Sequence, residues 1–444
     1  MGDAVIGIIG MGDMGKMYTR RLSDAGWRYA FWQSLSEELI YCIRIHACDV
    51  PDKYDSLTDE FKGRQKNVTI FKNGHLVSRS SDYIIYSVEA RNIDAVVYEY
   101  GPSTKIGAIV GGQTSCKAPE IAAFEKHLPQ DVEIVSCHSL HGPGVNPKGQ
   151  PLVLIQHRAS QQSFDLVENM LSCLGSKHVK LTAEAHDRIT ADTQAHGHRV
   201  GGEQAIPMGD PRYVGGIENV KINITLRIYS NKWHVYAGLA ILNPAARKQI
   251  KQYAESVTEL FKLMLGGHRE ELRQRIEAAR KAVFGHMEKK GADEHELLLD
   301  DELLDRFSLG EKPAERVKNN HLSLLAMVDC WWKLGIVPYD HMICSTPLFR
   351  LWLGITEYLF RNPELLEEVI ETAIEDNTFR ADDLEFTFAA RDWSERVSFG
   401  NMDGYREKFE TIQNYFEPRF KEATKVGNEM IKTIEENLNS RKKT

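Results

Sequence analysis

Apolar residues come in short unbroken runs over the first 180 or so positions and at helical spacing thereafter. Val5–Ile9, Tyr83–Val88, Ile106–Val110, Val132–Ser136 and Leu152–Gln156 are short apolar-rich runs bounded by polar or turn residues. Such runs read as strands buried on both faces. Between them Met14–Ala25, Asn92–Tyr98 and Pro119–His127 carry helical patterns, and Ser163–Leu174 and Ala183–Ala195 flank a last strand near Val179. Strands alternating with helices predict a parallel sheet covered on both sides, an α/β Rossmann-type domain over residues 1–182. From 183 to 444 the period changes. Lys221–Leu242, Ala245–Leu265, Arg269–Phe284, His321–Leu334, Pro347–Phe360, Pro363–Ile374 and Tyr405–Asn437 repeat apolar residues every three or four positions, with Pro or Gly at their ends. That pattern predicts an all-α second domain. Lys289–Asp301 is a charged loop or short helix.

Composition narrows the function classes. The 444 residues exceed one ordinary core. A net charge of −8 disfavours nucleic acid as a partner. No apolar run reaches the roughly 20 residues of a membrane helix, and Met1–Gly10 lacks a signal peptide's basic start. Seven scattered cysteines form no CxxC pair and read as reduced thiols of a cytoplasmic protein, with no metal-ligand spacing.

Gly10-Met11-Gly12-Asp13-Met14-Gly15 follows the first strand and opens the first helix. The first glycine permits a tight turn, the second lets backbone approach a pyrophosphate, and the third lets helix and strand pack closely. Phosphates then sit over the helix N-terminus. Gly10, Met11, Gly12, Asp13, Met14 and Gly15 are therefore cofactor-binding candidates, with Ser87 at the end of Tyr83–Val88 and Asp49 after the second strand. An acidic residue about 20 positions on binds the ribose 2′-hydroxyl and favours NAD. Asp49 lies 34 positions after Gly15; without the 16 residues Tyr29–Arg44 it would lie 18 after. Tyr29–Arg44 therefore reads as a retained intron or as a surface insertion.

Two clusters fall where strands end, which is where open parallel sheets bind ligands. They are Gly111-Gly112-Gln113-Thr114-Ser115-Cys116-Lys117 and His138-Ser139-Leu140-His141-Gly142-Pro143. An imidazole at a strand's carboxyl end suits general-base work near a nicotinamide; the plain alternative is a loop hydrogen bond.

These clusters, with the glycine turn and His186-Asp187-Arg188-Ile189-Thr190-Ala191, stand in the order seen in prephenate dehydrogenases, which the chain resembles over nearly its whole length. Gly215–Pro244, Asn320–Leu325 and Tyr339–Phe349 resemble the fungal branch in particular. The resemblance implies oxidative decarboxylation of prephenate to 4-hydroxyphenylpyruvate for tyrosine biosynthesis, with NADP as hydride acceptor and NAD as the alternative. It implies that His138 accepts the proton of the ring hydroxyl and that Ser115 lies beside it. Because prephenate is a dicarboxylate, Arg227 is expected to fork a carboxylate, with Lys232 a second cation; a solvated helix-face charge is the alternative for Arg227. His186 and Asp187 are expected to brace a helix. The resemblance also implies a homodimer through the helical half, around Trp331 and Trp332; an internal core is the alternative.

After Ala195 the pattern breaks. His196–Asp210 is polar and Gly-rich where the family continues a substrate-lining helix, and it reads as a brief frame shift from a mis-predicted splice. Arogenate as substrate, a β-hydroxyacid-type dehydrogenase and an inert nucleotide-binding relic are the competing readings.

Overall fold

The computed structural model describes residues 4–25, 28–31, 39–63, 65–194, 216–288, 299, 304 and 318–432 apart from 422, 428 and 431. The chain divides into two compact units, Met1–Asp187 and Arg188–Thr444.

The first unit is built on β1 (Ala4–Ile9), β2 (Arg28–Phe31), β3 (Leu39–Cys48), β4 (Val68–Ile70), β5 (Tyr83–Tyr86), β6 (Ile109–Gly112), β7 (Glu133–Ser139), β8 (Pro151–Arg158) and β9 (Lys177–Lys180). The path across the sheet runs β2-β3-β1-β5-β6-β7-β8-β9, with β4 also on β3. Pairing from β4 through β3, β1, β5 and β6 to β7 is parallel, with Ile9 opposite both Cys48 and Tyr86. Ile6, Ile8, Ile45, Tyr83, Ile84 and Ile85 are fully buried, because helices cover both faces. Those helices are α1 (Asp13–Asp24), α2 (Tyr54–Phe61), α3 (Gly74–Ser80), α4 (Ile93–Tyr100), α5 (Lys117–His127) and α6 (Gln161–Leu171).

Three details depart from the sequence reading. β8 runs antiparallel to β7: residues 140–150 hold Gly142, Pro143, Gly144, Pro147 and Gly149, and no helix forms there to carry a parallel crossover. The strand expected at Ile106–Val110 starts at Ile109, because Gly107 turns at φ +70° and leaves Ile106 exposed. Asp49's strand begins at Leu39, inside the interruption; Arg28–Phe31 pairs antiparallel with Leu39–Cys42. Residues 32–38 lie outside the described residues, as do 195–215, and with them His196–Asp210.

After α7 (Ala183–Gln194) the described elements are helical: α8 (Gly216–Tyr229), α9 (Trp233–Leu242), α10 (Pro244–Leu265), α11 (Arg269–Glu288), α12 (Leu322–Leu334), α13 (Pro347–Arg361), α14 (Pro363–Glu375), α15 (Arg380–Ser398) and α16 (Met402–Phe416). Asn-Pro punctuation sets several starts: Asn243 and Asn362 each accept backbone N–H groups of the first turn ahead of a proline at the first helical position. The expected helix Lys221–Leu242 is two, broken at Ser230–Lys232. Trp331 is buried in this unit's own core beside Trp352 and Phe360, so it is not an interface residue; Trp332 is the partly exposed one. None of the described helices is long and apolar enough to cross a membrane.

Candidate active site

The parallel register brings the carboxyl ends of β1, β3, β5, β6 and β7 to one edge of the sheet, and the predicted residues of the first unit lie along it. At β1 the chain turns through Gly10 at φ +100°, a conformation that favours glycine. A Cβ on Gly15 would stand 2.0 Å from the Gly10 carbonyl oxygen, so only glycine lets α1 start this close to the turn. A Cβ on Gly12 would meet nothing within 4 Å. The space over Gly12, at the bare N-terminus of α1, is where a pyrophosphate fits. Ser87 lies against the same turn; its backbone N–H donates to Ile9 O, and its hydroxyl faces the position a Gly15 Cβ would take.

Asp49 is brought to the turn as expected, with its carboxylate engaged there. Oδ2 accepts the Met11 N–H at 2.8 Å and Oδ1 the Val50 N–H at 2.7 Å, while Lys53 Nζ lies 3.2 Å from both oxygens.

The β6 and β7 ends are held by a buried ion pair. Lys117 Nζ donates to Glu120 Oε1, Gly112 O and Cys137 O, and Glu120 also accepts from Thr114 and Ser136. Both side chains are fully buried and hydrogen-bonded, which is what makes a buried pair tolerable. Ser115, half-buried, sits in the loop they fix.

His138 is the next-to-last residue of β7 and only 8% exposed. Its Nδ1 lies 2.8 Å from His186 Nε2, and His186 Nδ1 lies 2.9 Å from Asp187 Oδ1. Asp187 accepts the Lys117 and Ala118 backbone N–H groups at 2.7 and 2.8 Å, at the start of α5. Burial, then His186, Lys117 and His141, hold His138 well below the usual imidazole range, so it is a free base at neutral pH. Burial raises the Asp187 carboxyl, but hydrogen bonds from His186 and from Lys117 and Ala118 outweigh it and keep the group ionised. The link from His186 to His138 was missed in the sequence. The spacing of 48 positions carries no local signal.

Arg227 and Lys232 belong to the second unit, at either side of the α8–α9 turn. Arg227 is half-buried near Tyr236, and burial draws its pKa down, so it is not a freely solvated helix-face charge. Lys232 is exposed. Sequence reasoning also passed over Lys221, buried on α8 2.8 Å from Glu218, which lies 2.8 Å from His321 as well. Burial alone would raise the Glu218 carboxyl, but Lys221 and His321 bring it down to about 2.

A parallel sheet with a glycine turn fitted to a pyrophosphate and a neutral imidazole on the same edge defines a Rossmann-type nicotinamide-dependent dehydrogenase. Comparison with known proteins narrows the class. Residues 195–436 match a family described as a 6-phosphogluconate dehydrogenase C-terminal domain, of the type found in tyrosine-pathway dehydrogenases. The chain is 53% identical to prephenate dehydrogenase, NADP(+), of Saccharomyces cerevisiae, covering 97% of this chain and 94% of that one. It is 53% identical, over 98% of both chains, to a protein of Schizosaccharomyces pombe named "Probable prephenate dehydrogenase, NADP(+)". The solved prephenate dehydrogenase of Aquifex aeolicus matches with a TM-score of 0.46 at 16% identity, covering 62% of this chain and 95% of that one. The chain belongs to the prephenate dehydrogenase family.

Proposed function

We infer that this chain is an NADP-dependent prephenate dehydrogenase acting in tyrosine biosynthesis. The observation that carries the reading is His138, a buried neutral imidazole on the sheet edge that also holds the glycine turn. The 53% identity to NADP-dependent relatives supports the choice of cofactor. The nicotinamide, when bound, accepts hydride from the ring carbinol carbon. As that carbon becomes a carbonyl, the hydroxyl O–H breaks toward His138, which holds the proton. When the ring carboxylate leaves as carbon dioxide, its bonding pair enters the ring, and the phenolate recovers the proton from the imidazole. The net products are 4-hydroxyphenylpyruvate, carbon dioxide and NADPH. Aromaticity drives the step, so the chain's own task is to orient the ring and hold one proton.

Ser115 is assigned to the same hydroxyl, Arg227 to a substrate carboxylate with Lys232 as an outer cation, and Gly10 to Gly15, Asp49 and Ser87 to the nucleotide. The protein is assigned to the cytoplasm as a homodimer. Leu384 and Phe388, exposed one turn apart on α15, support an apolar contact between copies.

The test is an assay of the purified chain with prephenate or arogenate and with NADP or NAD. Prephenate with NADP should be preferred. His138→Asn should lower kcat by a factor of about 10² to 10⁴ while nucleotide affinity holds. A variant with undiminished kcat would remove His138 from the chemistry, and turnover of arogenate alone would change the substrate.

A further inference from the structure

The hydrogen bonds behind His138 fix more than its position. Asp187 accepts at both oxygens: Oδ1 takes the Lys117 N–H, and Oδ2 takes the Ala118 N–H, with the Cys116 thiol 3.5 Å away. An ionised carboxylate in that setting can only accept, so the hydrogen in the 2.9 Å contact belongs to His186 Nδ1. A neutral His186 then has its lone pair on Nε2. The 2.8 Å contact to His138 therefore needs the hydrogen on His138 Nδ1, which leaves the lone pair on His138 Nε2. His186 is fully buried, so water does not substitute for either partner. The two rings meet edge to face, with centroids 5.0 Å apart.

Resting on the functional reading above, we propose that His186 and Asp187 are positioning residues that form a proton relay with His138. They hold its Nε2 as the basic nitrogen and store the proton that the substrate hydroxyl lends during hydride transfer. Each transfer balances. The substrate O–H breaks as a bond forms from that hydrogen to His138 Nε2. The Nδ1–H of His138 breaks as Nε2–H of His186 forms. The positive charge comes to rest on His186, next to the Asp187 carboxylate, and returns by the same route to the phenolate when carbon dioxide has gone. Storage on His138 alone is disfavoured there, because burial and the Lys117 ammonium both oppose a cation. His186 feels burial and Lys117 too, but it also has Asp187 in contact and Glu120 nearby to offset them. The charged and titratable groups around the pair are Lys117 and Glu120 on α5, Asp187 and Cys116 beside His186, and His141 beyond β7.

Nitrogen-15 NMR of histidine-labelled protein reads the tautomer without substrate or cofactor. His138 protonated on Nδ1 is the expected state, and an Nε2–H tautomer would overturn the proposal. Function is read by single-turnover hydride transfer in light and heavy water. His186→Gln keeps an acceptor for His138 Nδ1–H and a donor for Asp187, yet cannot take up a proton. It should slow hydride transfer at least tenfold, leave KM for prephenate within about twofold, and straighten a curved proton inventory. His186→Phe, which removes the acceptor as well, should slow it further and release the His138 tautomer. If His186→Gln kept the wild-type rate and inventory with a wild-type melting temperature, the relay would be wrong. Absence of prephenate turnover in the wild-type chain would instead sink the functional reading, and the tautomer measurement would still judge the hydrogen-bond chain.

Discussion

Two glycines of the turn after β1 separate a packing requirement from a ligand requirement. At Gly15 the added carbon would lie 2.0 Å from the Gly10 carbonyl oxygen and 3.3 Å from the Ser87 hydroxyl. Ordinary carbon–oxygen contact is above 3 Å, so Gly15→Ala must push the start of α1 away from the β1 turn by about 1 Å. Overpacking of that kind costs about 1–3 kcal/mol. For a unit of about 190 residues this corresponds to a fall in Tm of roughly 2–12 °C. At Gly12 the backbone is at φ −70° and ψ −170°, open to any residue, and the added carbon meets no protein atom within 4 Å. Alanine there is a somewhat poorer helix cap, but it also lowers the entropy of the unfolded chain, and the two nearly cancel at a few tenths of a kcal/mol. Gly12→Ala should therefore fold like the wild type. Its methyl group would occupy the path of the pyrophosphate and raise Kd for NADP at least tenfold, about 1.4 kcal/mol. Differential scanning calorimetry gives Tm, and isothermal titration gives Kd. A Gly12→Ala protein that binds NADP with wild-type affinity would show that no phosphate passes over Gly12.

Other tests bear on charge. Lys53→Met should leave Asp49 bonded to the Met11 and Val50 N–H groups but strip its counter-ion, exposing a 2′-phosphate to an uncompensated carboxylate. KM for NADP should rise by a factor of about five, roughly 1 kcal/mol, fading at high salt, with KM for NAD unmoved; an equal rise for both nucleotides would refute the assignment. In the second unit, burial pushes the Asp383 carboxyl up to about 6, despite the hydrogen bond from Asn320 and the nearby Arg380 and Lys221. Because the folded pKa lies above the unfolded one, this group's contribution is full below about pH 4 and is lost as pH rises through 6. Asp383→Asn should thus gain about 3 kcal/mol at pH 7.5 and nothing near pH 4, measured as the pH dependence of urea unfolding; a gain that persists at pH 4 would contradict the shift.

What was legible in the sequence is what short-range pattern encodes. The β1 turn, the parallel strands and most helices of the second unit announced themselves by period and by Gly, Pro or Asn punctuation. The α15 helix did not, because charged residues surround its buried stripe of Phe386, Ala390, Trp393 and Val397. The antiparallel β8 was hidden because a continuous apolar run has no direction; only the helix-free loop before it sets one. His138 was legible as a candidate from its place at a strand end. His186 was not legible as its partner, because the contact joins two elements 48 residues apart and periodicity does not report on such pairs.

Asp49 shows how a residue can be placed correctly and still give a misleading cue. An acid after the second strand is taken to favour NAD because its carboxylate is free to receive two ribose hydroxyls. Here each oxygen already accepts a backbone N–H, one of them from Met11 in the glycine turn itself, and a lysine one helical turn on lies against both. The side chain is only 10% exposed. A carboxylate so engaged braces the turn and presents little net charge, since Lys53 cancels it within hydrogen-bonding distance. The objection to a 2′-phosphate therefore weakens: the repulsion expected from a bare carboxylate is replaced by a compensated pair whose exposed member is the cation, Lys53 at 52%. An acid in this place discriminates between the nucleotides through the direction of its oxygens and the partners they hold. That places the NADP preference of the 53%-identical relatives and the presence of Asp49 in agreement, with the lysine four positions on as the residue that reconciles them.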